Sequence, residues 1–161
     1  MKRKDIVILI VLLVVFVGVF YLRQKARSSE QIRVPESLFT EKQFEDKFKI
    51  QIPDDVDKVE LFDLSGGNSS GIATKSFKDG KFEASVLADL PEPSAGEFYQ
   101  AWLAGDGENV SLGKMKSAKG GWMVEFESKK DYSSLNTFMV TSEKKFDLTP
   151  ETKVLEGNLK Q

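Results

Sequence analysis

From Val56 to Leu155 the sequence runs in short apolar/polar alternations broken by turn residues, a texture with period 2. Between Lys81 and Ala88, for example, Phe82, Ala84, Val86 and Ala88 fall on one face and Lys81, Glu83 and Ser85 on the other. Lys78-Asp79-Gly80 precedes this run and follows Ile72–Phe77, so Asp-Gly marks a hairpin. Further strands are expected at Val59–Leu64, Phe98–Leu103, Val110–Met115, Trp122–Phe126, Thr137–Ser142 and Lys153–Leu155. Ser-Gly-Gly-Asn-Ser-Ser-Gly after Leu64, and Gly-Asp-Gly-Glu-Asn after Ala104, are loops by composition. About seven or eight short strands with frequent turns predict a mainly β fold, an antiparallel β-sandwich over residues 54–161.

The densest aromatic stretch is Gly96-Glu97-Phe98-Tyr99-Gln100-Ala101-Trp102-Leu103. As a strand it points Phe98, Gln100 and Trp102 one way and Tyr99, Ala101 and Leu103 the other. Neither face carries a charge, so the strand is expected to be covered on both sides. Its aromatics are read as core, against the competing reading of a binding platform. A buried Gln100 must then find hydrogen-bond partners.

The N-terminal part is of another kind. Residues 6–22 form an unbroken uncharged run, preceded by Lys2, Arg3 and Lys4 and followed by Arg23, Lys25 and Arg27. As a helix it would rise about 25 Å, near the lower limit for a bilayer's hydrocarbon layer. Tyr21-Leu22-Arg23-Gln24-Lys25 offers no small-x-small cleavage site, so the run is read as an uncleaved single-pass signal anchor. Residues 1–5 are then a cytoplasmic tail, and the remainder lies outside the cytoplasm, on the cell membrane. Residues 23–53 are read as a juxtamembrane linker containing a short amphipathic helix at about 41–48. Thr40 would cap that helix with Gln43 at the third position, while Phe39 and Phe44 would form a hydrophobic staple.

Composition removes several function classes. The chain has no cysteine and no histidine, which excludes disulfides, thiolate metal sites, the Ser-His triad and the usual general base. Up to Arg33 there are seven Lys/Arg against two acids; beyond it, 16 against 23. So acidic a domain repels nucleic acid and anionic headgroups, and nucleic-acid binding is excluded. Asp54, Asp55 and Asp57 lack the spacing of a calcium loop, and with Asp106, Glu108 and Asn109 they are read as solvated loops. Asn68-Ser69-Ser70 and Asn109-Val110-Ser111 match a glycosylation acceptor and are read as chance. Catalytic, cofactor and metal sites are all expected to be absent.

Leu90-Pro91-Glu92-Pro93, the Tyr99-Gln100-Ala101-Trp102-Leu103 core, Gly113-Lys114-Met115, Val140-Thr141-Ser142-Glu143 and Lys153-Val154-Leu155-Glu156-Gly157 together resemble the C-terminal, extracytoplasmic domain of the anti-sigma-K factor (RskA) family. The resemblance covers roughly residues 57–159 and carries Tyr99, Gln100, Trp102, Leu103, Gly113, Thr141, Glu143 and Gly157 as family-motif positions, read as structural. It implies a β-sandwich outside the membrane and a protein partner. Lys144-Lys145-Phe146-Asp147-Leu148-Thr149-Pro150 replaces the Gly-rich, Pro-Thr-Gly-Pro stretch of that family. Five residues ahead of the apolar run cannot present the roughly 800 Å² that each side of a stable interface needs. The expectation is therefore a non-catalytic, membrane-anchored binding or sensing module whose sigma-binding half is a separate chain. A structural component of the cell envelope is the alternative.

Overall fold

A computed structural model of the chain describes residues 36–159. The anchor, tail and linker expected at 1–5, 6–22 and 23–35 lie outside the described residues. The folded unit comprises one helix, α1 (Glu36–Phe48), and nine strands. These are β1 (Asp57–Asp63), β2 (Ser70–Lys78), β3 (Lys81–Asp89), β4 (Phe98–Gly105), β5 (Glu108–Lys114), β6 (Lys116–Ala118), β7 (Gly121–Ser128), β8 (Thr137–Glu143) and β9 (Thr152–Asn158). All eight expected strands form; β6, three residues long, is the addition.

The pairing is that of one antiparallel sheet rather than two facing ones, in the order β5-β4-β8-β9-β1-β2-β3-β7-β6. The sandwich expected from the strand pattern is replaced by a nearly closed barrel. The reason is β9, which pairs with β8 on one side and β1 on the other and so welds the two halves together. The sheet's two edges also meet. β5 ends at one edge with Lys114, and after the single residue Met115 the chain enters β6 at the other edge. Lys114 and Lys116 can be no more than about 7.6 Å apart, twice the trans Cα–Cα step. A Cβ on Gly113 would lie 3.7 Å from Val124 Cγ2 on β7, so β5 does approach β7.

Local chemistry explains the turns. In each of three hairpins, a two-residue loop places both residues at positive φ: Asp79-Gly80 (52° and 74°), Asp106-Gly107 (49° and 79°) and Lys119-Gly120 (48° and 79°). Such turns match the strands' right-handed twist. Asp106-Gly107 is thus a tighter loop than the five residues expected from composition, with Gly105 and Glu108 already paired.

The interior follows the alternation. Leu61, Ala73, Phe82, Val86, Leu103, Phe138, Val140 and Leu155 fill the barrel. Tyr99 meets Trp122 edge-on at 5.3 Å, and Phe82 meets Tyr132 at 5.5 Å. On the outside, Phe44 and Phe48 of α1 and Ile52 pack on Ile72 and Leu87, so the helix belongs to the folded unit. It covers an outer face of the sheet. α1 begins at Glu36, five residues before the expected start, so Thr40 lies within the helix rather than capping it. Phe39 is likewise inside the helix, which removes the staple. Pro35 precedes Glu36 in sequence, and proline suits a helix start better than an interior. At the other end Lys49 has φ 52°, and Lys119 Nζ donates to the Phe48 carbonyl, capping the last turn.

Candidate functional site

The eight motif residues separate into three groups. Tyr99 and Leu103 point into the barrel, where burial pushes the Tyr99 phenol's pKa up, with help from Glu92 and Glu97. Gly113 and Gly157 are demanded by the backbone. Gly113 has φ 113° beside a β-bulge, where β5 carries one residue more than β4 between the Ala101 and Trp102 pairings. At Gly157 an added Cβ would press on the Glu60 carbonyl and lie 2.8 Å from Leu61 Cδ2, so β9 reaches β1 only without a side chain there.

The third group is polar and shares the opposite face of β4 and β8. Gln100, Trp102, Thr141 and Glu143 are all buried, and the strand register sets Gln100 opposite Thr141 and Trp102 opposite Met139. Trp102 Nε1–H donates to Thr141 Oγ1 at 2.7 Å, and the Thr141 hydroxyl donates to the Gln100 carbonyl at 3.3 Å. Gln100 Nε2 donates to Ser111 Oγ at 2.9 Å and to the Asp147 carbonyl at 3.2 Å. Glu143 Oε1 accepts the Glu151 N–H at 2.9 Å. Gln100 Oε1 and Glu143 Oε2 are enclosed without a protein donor among the described residues.

These bonds hold down the loop 144–151, which folds against β4 and β8. Its stem is closed by the Lys144 and Lys145 N–H groups, which donate to Glu151 at 3.1 and 3.3 Å. Asp147 Oδ1 accepts the Thr149 N–H at 2.8 Å, fixing the tip. Phe146 lies 6.3 Å from the Phe98 ring, over which Lys114 Nζ sits at 4.3 Å. The result is a lid with a polar underside, presenting Phe146 and Leu148 to solvent. The segment 144–151 is therefore the one that covers Gln100 and Glu143.

The acidic candidates do not converge. Asp55 pairs with Lys78, Asp54 lies 3.6 Å from Lys58, and Glu108 pairs with Lys130 at 3.0 Å. Among the described residues no group of three or more His, Cys, Asp or Glu side chains is placed to hold a metal.

Lys75 is absent from the sequence expectations. It occupies an inward position on β2, and its Nζ donates to Ser133 O and Leu135 O at 2.6 Å each and to Asn136 Oδ1 at 3.0 Å. Burial pushes its pKa down, against Asp57 and Asp131, which pull it up. The signal was present: Lys75 shares the face of Ala73 within an apolar alternation, where a lysine needs partners.

No helix among the described residues is long and apolar enough to cross a membrane. The family model described as anti-sigma-K factor RskA, C-terminal, matches residues 6–152. The match takes in the apolar run and stops short of Gly157. No curated protein and no solved structure matches the chain.

Proposed function

The chain belongs to the anti-sigma-K factor family through its C-terminal domain, and from that membership we propose that it is a membrane-anchored, non-catalytic binding module outside the cytoplasm, serving a sigma-factor regulatory system. The proposed organisation is a tail (1–5), an anchor (6–22), a linker with α1 (23–53) and the β domain (54–161). The family match supports the regulatory role, and its inclusion of residues 6–22 supports the anchor.

The 144–151 lid is the observation that carries binding. A loop tied down by Gln100, Glu143 and Glu151 presents Phe146 and Leu148 to water at a stability cost that contact with a partner would offset. The absence of histidine and cysteine from the sequence favours binding over catalysis.

The test has two arms on the full-length chain. Protease added to intact spheroplasts should remove the β domain, and full protection there rejects the topology. Capture of the solubilised chain should recover a sigma factor or a sigma-binding protein. Recovery in the wall fraction without either would favour a structural component of the envelope.

A further inference from the structure

Two apolar pairs face solvent on this domain, one next to two lysines with Asp147 between its members, the other in a groove where acids outnumber bases. On the 144–151 loop Phe146 is 67% and Leu148 77% exposed, directly after Lys144 and Lys145. On the outer side of β1 Phe62 is 62% exposed, and just beyond the strand Leu64 is 52% exposed. Around this second pair acids outnumber bases: Glu60 shares the outer face of β1 with Lys58, and Glu156, paired with Lys153 at 2.5 Å, sits opposite Phe62 on β9. Asp54 and Asp57 continue the same shallow groove. Helix α1 covers the outer face of β2, β3 and β7, and the lid lies against β4 and β8, leaving the groove between those coverings.

We propose that the 144–151 tip of one molecule docks head-to-tail in the β1–β9 groove of a second copy of this chain. Phe146 and Leu148 then cover Phe62 and Leu64. The Lys144 and Lys145 ammonium groups meet Asp57, Glu60 and Glu156. Two grooves, each with an excess of acids, repel one another, and Lys144 and Lys145 are drawn to a groove, so a tip–groove contact is favoured over a groove–groove one. A docked pair keeps one free tip and one free groove, so the contact propagates into rows instead of closing as a dimer. The tip offers well under the roughly 800 Å² per partner of a standard interface, so the contact is weak in solution. A shared membrane raises its effective concentration, and only there does the inference rest on the anchored reading.

The chain has no cysteine, so introduced thiols report without background. Full-length protein carrying Leu148→Cys is mixed with a size-tagged full-length chain carrying Leu64→Cys in the same liposomes and mildly oxidised. The mixed 148–64 product should exceed both like-with-like products by about five-fold or more. Lys144→Glu with Lys145→Glu in the tip-bearing copy should remove that excess. Asp57→Lys with Glu60→Lys in the groove-bearing copy should then restore it. Statistical yields of all three products, or an excess that ignores the charge reversals, overturn the proposal. Should the chain fail to stay in the liposomes, the anchored reading fails instead. The same mixture at millimolar protein concentration in solution then decides docking alone, where purely statistical yields reject it.

Discussion

Trp102 is wholly buried, and its one polar atom is matched to one partner, so its worth divides into a packing part and a hydrogen-bond part. Trp102→Ala in a fragment from Glu36 should cost about 3–5 kcal/mol, the usual loss for truncating a large buried aromatic. The fragment must begin no later than α1, because Phe44 and Phe48 are part of the fold. Trp102→Phe keeps most of the ring and leaves the Thr141 hydroxyl without its donor, a loss of about 1–2 kcal/mol. Thr141→Val keeps the shape and orphans a buried indole N–H, a loss of about 1–3 kcal/mol. With both changes neither partner is stranded, so the double variant should be more stable than the summed losses predict, by about 1 kcal/mol. Urea denaturation of the four proteins of the cycle, together with Trp102→Ala, measures all of this, with far-UV dichroism as the probe because the indole itself changes. A Trp102→Ala loss within about 0.5 kcal/mol, the range of surface changes, would refute the core assignment. Additive losses around the cycle would refute the role given to the Trp102–Thr141 bond.

Three other changes probe separate features. Lys75→Met strips the donor from Ser133 O, Leu135 O and Asn136 Oδ1 at once, and calorimetry should show a loss of about 3 kcal/mol or more. Gly157→Ala pushes a methyl group against the Glu60 backbone and should cost about 1–3 kcal/mol, read as a lower urea midpoint with the slope unchanged. Asp63 is held well below its ordinary 3.8 by the Ser65 hydroxyl and then the Ser69 amide, which favour the carboxylate in the folded state. Its stabilising effect is therefore present above 3.8 and fades as the pH falls through the lowered folded value. The stability gap between wild type and Asp63→Asn should narrow on acidification below 3.8, and a constant gap would contradict the assignment.

Where local chemistry decided the structure, the sequence disclosed it. Asp79-Gly80 turned as its φ preferences require, and Phe82, Ala84 and Val86 faced inward together. The Phe98–Leu103 strand is covered on both sides, as its lack of charge implied. What stayed hidden depended on distant partners. No local pattern tells that β9 inserts between β8 and β1, because that contact joins residues 62 and 156. Alternation alone fits a sandwich and a barrel equally well. β6 is too short to establish a period, although Lys119-Gly120 marks its turn. The roles of the residues singled out as a motif were not legible: Gly157 acts by making room, Tyr99 by filling the core, and Gln100 by fastening a loop 47 residues away. That loop stood out in the sequence only as a departure from the family's pattern, and its role as a lid stayed hidden because its partners lie on β4 and β8.

Met115 has a bearing on how this protein fails. An open sheet must guard two rows of unpaired backbone groups, commonly with charges, prolines or bulges on its outer strands. Here one residue draws the outermost strands together, so protection of both margins rests on the same short stretch of chain. A protease cut or a proline at that bend would unlatch the two margins simultaneously. Each would then be a template for pairing with other chains, and damage at a single point would turn a self-contained domain into an aggregation seed.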